Sequence, residues 1–479
     1  MSRRLQVVLY NPASVFYTMP LGPLAVASAL DRTVYDVRII DGRLETDPVA
    51  AVLECLDGAV ALGISVLTGD PIRDALRVSR AAKAHAPGLP IVWGGWHPSL
   101  FPVETLADPS IDIAVLGQGE PTFAALLERL ADRPEAGRRP VLELDDVAGL
   151  AFRRDGEVVR TPARPMVPMN DLPPVDYTLL PVEDYFAMKR QRQFDYIASI
   201  GCHFRCAFCA DPFVYARRWT GLEPSRIGEE VEALWRRYAF TELAFQDETF
   251  FTYRDRAEAM ADSFLRRGLS FEWTATLRAD QAVRLGEAGL ALCVRSGLRR
   301  VLVGVESGSQ EMLDWMLKDV TVEQVLETAA MCKRLHLGAI FPFIVGFPGE
   351  SGESVRATVD LIKRLRAMSP DFETPLFYFK PYPGSRITDD LVKQGYTLPT
   401  TLDDWAAFDF IGSSGPWVSD DKYQWFERFK FYNRFAGGAA TWRRWPLQRL
   451  ARWRCRRDFY GYPLEQAIVE RLRPSPPLS

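Results

Sequence analysis

The sequence predicts an α/β chain with two successive βα series: a Rossmann-like, doubly wound sheet over residues 1–135 and a partial (β/α)6 barrel over residues 191–399. A connector over 136–190 joins them, and a helical region over 400–479 follows. Three observations carry this reading. Short apolar runs alternate with helical periodicity through residues 1–135, and the rhythm resumes after residue 190. A proline cluster lies between the two series. Beyond residue 400 the alternation stops and the chain turns rich in Trp, Phe and Arg. Alternation of this kind builds parallel sheets covered by helices.

Each element has its own signal. Leu5–Tyr10 is apolar and reads as a first strand, not as a signal peptide. Pro23–Leu30 reads as a helix and Asp36–Ile40 as a strand that ends at Asp41-Gly42. Ala59–Ser65 is a continuous apolar run, the kind a parallel sheet buries on both faces. Ile72–His85 is helical, Pro90–Trp93 is a strand entering Gly94-Gly95, and Ile111–Leu116 is a strand entering Gly117-Gln118-Gly119-Glu120 before the helix Thr122–Leu130. These glycine turns fall at the carboxyl ends of strands, where such sheets take ligands. No Gly-x-Gly-x-x-Gly follows the first strand, so a dinucleotide site is poorly supported.

Six prolines between Pro162 and Pro181 favour extended chain in the connector. The second series has candidate strands at Phe194–Ile200, Glu242–Gln246, Phe271–Leu277, Arg300–Glu306, Ala339–Val345 and Pro375–Lys380, separated by helical patterns. In a barrel the functional groups belong on the loops that follow the strands.

Composition narrows the function. The net charge of −4 does not suit a dedicated nucleic-acid binder. No apolar run approaches the ~18 residues of a membrane span, and a cytoplasmic location is expected. Of seven cysteines, Cys202, Cys206 and Cys209 crowd into eight residues, a spacing that in a reducing compartment favours metal binding over disulfides. Cys55, Cys293 and Cys332 sit in apolar helical surroundings and read as small hydrophobes, while Cys455 lies among arginines that favour the thiolate, although a structural role fits it better.

The stretch Gly201-Cys202-His203-Phe204-Arg205-Cys206-Ala207-Phe208-Cys209 follows the first strand of the second series directly. Three thiolates on one tight loop can ligate three irons of a 4Fe-4S cubane and leave the fourth open to a small molecule. A zinc site from the three cysteines and His203 is the other reading, but the second ligand pair usual for zinc is missing.

This motif resembles that of the radical S-adenosylmethionine (SAM) superfamily, and the resemblance extends over residues 190–390. It implies that SAM chelates the open iron and is cleaved to a 5′-deoxyadenosyl radical. Gln246-Asp247-Glu248-Thr249-Phe250 resembles the acidic stretch that meets the SAM amino group, with Asp247 or Glu248 in that role; a helix cap is the other reading of Asp247. Arg278 is placed to pair with the SAM carboxylate, or else forms a surface ion pair. Glu306 and Ser307 resemble the ribose and methionine contacts, and Gly346, opening Gly346-Phe347-Pro348-Gly349-Glu350, the adenine turn. Pro381-Tyr382-Pro383-Gly384-Ser385 resembles the cobalamin-linked branch.

Residues 5–130 are similar to the cobalamin-binding domain fused to that branch. The similarity places Ser65, Thr68, Gly94, Gly95, His97, Gly117, Gly119 and Glu120 around the cofactor, with Gly63, Gly94 and Gly95 opening a slot for its nucleotide tail. None of the four histidines stands in an Asp-x-His motif, so no histidine from that motif reaches cobalt; His97 reads equally as a turn cap and as a cofactor contact. The resemblance implies C-methylation of an unactivated carbon in a small molecule (a lipid, tetrapyrrole or other natural product), with flavodoxin or ferredoxin as electron donor and no nucleic acid involved. Radical cyclisation of the anaerobic magnesium-protoporphyrin ester cyclase type is a second reading, and a cobalamin sensor with an inert cluster is a third.

Between Trp442 and Arg457 stand seven arginines and no acid. Three readings of this segment remain: a helix whose indoles pack inward, a peripheral membrane contact, and a cap over an anionic substrate.

Overall fold

Alternation along the first strand sets the architecture of the N-terminal sheet. In β1 (Leu5–Asn11), Val7 and Leu9 point to one face and Val8 and Tyr10 to the other, and all four are buried, so helices must cover both sides. The computed structural model describes residues 4–131, 144–408, 415–437 and 445–472. The chain divides into two units, the first made of 1–203, 209–222 and 382–410, the second of 204–208, 223–381 and 411–479.

In the first unit, β2 (Tyr35–Asp41), β3 (Ala59–Ser65), β4 (Ile91–Gly94) and β5 (Ile113–Val115) join β1 in a parallel sheet. Helices Leu21–Ser28 and Gly119–Ala131 bury Val7, Leu9, Val92 and Ile113; helix Pro71–His85 buries Val8, Tyr10, Leu62 and Trp93 on the opposite face. The connector is more ordered than its prolines predict. β6 (Leu150–Arg154) and β7 (Glu157–Arg160) extend the sheet antiparallel, giving the order β2-β1-β3-β4-β5-β6-β7. The turn Asp155-Gly156, both residues with positive φ, joins this pair, and the cluster of six prolines begins only beyond it. Helix Val182–Lys189 follows, then β8 (Gln193–Tyr196) and β9 (Ser199–Gly201), which pairs antiparallel with β10 (Trp219–Gly221).

Helix Leu402–Ala406 belongs to this first unit. Thr401 caps it, its Oγ1 accepting from the Asp404 N–H at 3.1 Å. Fully buried Trp405 packs its ring 4.5 Å from Phe101 and 5.8 Å from His97. Replacing so large a buried ring leaves a cavity, so Trp405→Ala should cost about 3–5 kcal/mol in a denaturant titration; a loss below about 1 kcal/mol would mean that this helix does not close the sheet's face.

In the second unit, β11 (Glu242–Phe245), β12 (Glu272–Leu277), β13 (Leu298–Val303), β14 (Gly338–Ile340) and β16 (Phe372–Glu373) run parallel, adjacent in that order, and β15 (Phe343–Val345) pairs parallel with β17 (Leu376–Tyr378). The expected single strand 339–345 is thus broken, whereas 375–380 is met by the single strand β17. Pro342 lacks the N–H a central ladder needs, which explains the break. Helices Pro224–Tyr238, Arg254–Arg266, Ala279–Arg295, Val322–Arg334 and Gly352–Met368 alternate with these strands. Helices Asp420–Ala436, Trp445–Arg457 and Leu464–Leu472 form the C-terminal region.

Candidate active site

The cysteine loop starts where β9 ends. Gly201 has φ +82°, and a side chain there would meet the Arg218 carbonyl oxygen at 2.3 Å, so only glycine lets the chain turn into Cys202. Cys202 is buried, and Cys206 and Cys209 are partly exposed. Among the described residues no three His, Cys, Asp or Glu side chains converge on one ion. A cubane takes one thiolate per iron corner, so its ligands need not converge on a single point. Burial pushes the Asp211 carboxyl up to about 6, against the lowering effect of its hydrogen bond with Cys209.

Around Cys206 the second unit assembles positive charge. Arg278, at the end of β12, is buried rather than paired on the surface. Its Nη1 lies 3.5 Å from Cys206 Sγ, its Nη2 donates to the Lys318 carbonyl at 2.6 Å, its Nε donates to Asp280 at 2.9 Å, and its guanidinium carbon stands 3.6 Å from the Phe204 ring centroid. Asp247 is buried at the end of β11, and its carbonyl accepts from Thr276 Oγ1 at 2.8 Å. The next helix starts at Arg254 with Tyr253 as its N-cap, so Asp247 does not cap it. Glu248 is partly exposed beside it.

Glu306 follows β13 with φ +69°, a left-handed backbone that a non-glycine residue adopts at a cost. Backbone contacts hold it there: its N–H donates to the Pro342 carbonyl at 3.1 Å and its carbonyl accepts from the Ile344 N–H at 2.8 Å. Its carboxylate accepts from Lys318 Nζ at 2.6 Å in a buried ion pair, side chains 10% and 6% exposed. Sequence reasoning missed Lys318. A lone lysine between two irregular residues carries no motif, and only the left-handed turns at Leu317 (φ +52°) and Asp319 (φ +54°) bring it in. Ser307 is fully buried, its Oγ 3.2 Å from Thr358 Oγ1 and accepting from the Ser309 N–H at 3.1 Å. Gly346 has φ +74°, its N–H donates to Glu350 at 2.7 Å, and a side chain there would meet Val418 at 2.7 Å. Burial raises the Glu350 carboxyl above the ordinary range.

The first unit presents its turns at the carboxyl ends of β3, β4 and β5. Gly95 has φ +95°, and a Cβ there would lie 3.1 Å from both the N and the O of Val66. Gly94 has room, its nearest neighbour being Val115 at 3.7 Å. Gly63 opens no slot: Leu9 and Phe123 occupy that space, 2.7 and 3.2 Å from where a Cβ would stand, because a packed core fills the gap a glycine leaves. Ser99 ties two turns together, its Oγ donating to the Gly95 carbonyl at 2.6 Å and accepting from the Gly117 N–H at 3.0 Å. Ser65 is partly exposed, Thr68 is buried, and Leu67 between them stands 44% exposed, which sequence reasoning missed. His97 is fully buried between Phe101 and Trp405, with Nδ1 3.3 Å from Thr68 Oγ1; burial pulls its pKa down to about 3, so it is neutral. Its Nε2 has no partner among the described residues. Gly119 and Glu120 start helix Gly119–Ala131, and burial raises the Glu120 carboxyl. Cys293 and Cys332 are buried thiols pushed up to about 12, and Cys455 to about 11, where burial outweighs the lowering effects of Tyr460, Lys363 and Arg366.

Residues 196–362 match the radical SAM superfamily and residues 10–127 match the B12 binding domain. An uncharacterized methyltransferase of Pyrococcus horikoshii is 31% identical over 385 residues, 79% of this chain and 80% of that protein. The cytidylyl-2-hydroxyethylphosphonate methyltransferase of Streptomyces wedmorensis is 25% identical over 464 residues, 83% of this chain and 84% of its own length. Among solved structures, the radical SAM methyltransferase TsrM of Kitasatospora setae, with cobalamin and a 4Fe-4S cluster bound, aligns with TM-score 0.68 at 17% identity over 82% of this chain and 75% of that one. The cysteine loop beside a buried guanidinium and the glycine turns at the sheet's carboxyl edge fit the cofactors these domains imply, a 4Fe-4S cluster, SAM and cobalamin. The chain therefore belongs to the radical SAM superfamily and carries an N-terminal B12 binding domain.

Proposed function

We propose that this chain methylates an unactivated carbon of a small-molecule substrate, using SAM, a 4Fe-4S cluster and cobalamin. The observation that carries the reading is the presence, in one chain, of a cysteine loop backed by Arg278 and a B12-type sheet whose carboxyl-end turns are shaped by Gly95, Gly117 and Ser99. The methyltransferase names of its relatives support it. With the cofactors bound, they supply a 5′-deoxyadenosyl radical for hydrogen abstraction and a methyl group for transfer.

The protein's own residues bind and orient. Cys202, Cys206 and Cys209 would hold the cluster, and Arg278 would offset thiolate charge at Cys206 and turn a remaining N–H toward the SAM carboxylate. Asp247 and Glu248 receive the SAM amino group. Glu306, oriented by Lys318, would accept the ribose hydroxyls; Ser307 shapes the turn behind it, and the Gly346 backbone would face the adenine. On the cobalamin side, Ser65, Thr68, Gly94, Gly95, Gly117, Gly119 and Glu120 line the cofactor's path. His97, neutral and enclosed, acts behind Thr68 and not on cobalt. Leu67, exposed at the end of β3, keeps the adjoining surface apolar. A small low-potential donor such as flavodoxin or ferredoxin would supply electrons to a cluster held by the three cysteines, which points to the cytoplasm. Among the described residues no helix is long and apolar enough to cross a membrane.

Product analysis tests the reading. Turnover with the true substrate should release both 5′-deoxyadenosine and S-adenosylhomocysteine and add one methyl to the substrate. Deoxyadenosine without S-adenosylhomocysteine would point to cyclisation or rearrangement, and no SAM cleavage at all to a sensor.

A further inference from the structure

The arginine- and tryptophan-rich helix Trp445–Arg457 faces outward. Its inner side buries Gln448, Ala451, Arg454 and Cys455, while Arg449, Arg452, Arg456 and Arg457 stand exposed at helical spacing. The indoles do not pack inward either: Trp445 is 49% and Trp453 45% exposed. Arg449 lies over the Trp445 ring at 4.8 Å and Arg457 over Trp453 at 5.9 Å, so each indole on this face carries a cation beside it. Among the described residues no carboxylate pairs with any of these four arginines, although Arg452 also donates to the Ala436 carbonyl at 2.9 Å. Trp442, Arg443 and Arg444 lie outside the described residues.

The chain after this helix continues the same surface. Buried Arg454 donates to the carbonyls of Phe459, Gly461 and Tyr462 at 2.8–3.1 Å and pairs with Glu465, pinning the reversal into helix Leu464–Leu472. Asp458 is taken up by Lys363 at 2.6 Å. Asp458 and Glu465 are therefore both paired within the protein. The apolar side chains are left outside: Phe459 meets the Trp453 ring at 5.9 Å, and Tyr462, Leu464 and Ile468 are 83%, 73% and 57% exposed. Exposed aromatic and aliphatic groups rimmed by unpaired cations are uncommon on a freely solvated surface. They match a bilayer interface, where indoles sit at headgroup depth and arginines meet phosphate.

We propose that this C-terminal hairpin docks the enzyme reversibly on an anionic lipid surface, with Trp445, Trp453 and Tyr462 entering the headgroup layer and Arg449, Arg452, Arg456 and Arg457 binding lipid phosphates. The charge complementarity commits the surface to lipid, and a nucleic acid, the other polyanion, does not use the aliphatic Leu464 and Ile468. Co-sedimentation of the full chain with phosphatidylcholine vesicles, with and without phosphatidylglycerol, tests this. Binding should be at least about tenfold tighter to the anionic vesicles and should fall as salt rises. The variant with all four arginines changed to Gln, which leaves Arg454 in place, should lose that preference. Trp445→Ser with Trp453→Ser should weaken binding to both vesicle types. Thermal melts of the variants establish that they fold, and the salt dependence of the unaltered protein stands on its own if one does not. Equal partitioning to neutral and anionic vesicles, a preference unchanged by the Gln variant, or binding to duplex DNA in place of vesicles would each overturn the proposal.

Discussion

Replacing Cys202, Cys206 and Cys209 with Ala should reduce the iron of the anaerobically reconstituted protein from about four per chain to nearly none and abolish 5′-deoxyadenosine formation. The loop is placed by Gly201, and Arg278 stands 3.5 Å from Cys206 Sγ, so removing the thiolates takes away the cluster's ligands and leaves a buried cation without its sulfur contact. The single Ala variants of Cys202 and Cys209 should retain the fold, because the first unit's core is built from its sheet and not from this loop. Cobalamin binding, which depends on residues 10–127, should survive. A triple variant that still cleaves SAM, or a native protein that holds a single zinc, would remove the mechanism proposed above.

Lys318→Met should be the most damaging single change away from the cysteines. Lys318 and Glu306 form a buried ion pair at 2.6 Å. Breaking such a pair by removing one partner typically costs about 3–5 kcal/mol, because the other charge is left uncompensated in a poorly solvated place. SAM affinity should fall with stability, since the carboxylate would then lose the cation that orients it. The double variant Lys318→Met with Glu306→Gln separates the two effects. With both charges gone, most of the stability should return, whereas SAM binding should not. Denaturant titration and SAM-binding isotherms of the three proteins check this. A Lys318→Met protein as stable as its parent, or a double variant that binds SAM normally, would refute the assigned role of the pair.

From the sequence by itself follow the βα alternation, the parallel core strands β1 and β3, the cysteine loop and the glycine turns at strand ends, because each leaves a local signature of period, spacing or punctuation. Ala59–Ser65 became β3 at the bounds its apolar run predicts. Local signals stop short wherever pairing is decided by distant chain. The proline-bearing connector hid β6 and β7, whose place depends on the edge offered by β5. Pro342 broke an expected strand that its hydrophobic run alone would continue. In the site, Arg278 and Glu306 were legible as charged residues at strand ends, but their state was not. Tertiary packing buried both, brought Lys318 to Glu306 across two left-handed residues, enclosed His97 behind Trp405 and filled the Gly63 position with Leu9 and Phe123. The outward turn of Trp445 and Trp453 was equally beyond the sequence. A helix's periodicity says which residues share a face; only the surrounding contacts decide whether that face meets protein or solvent.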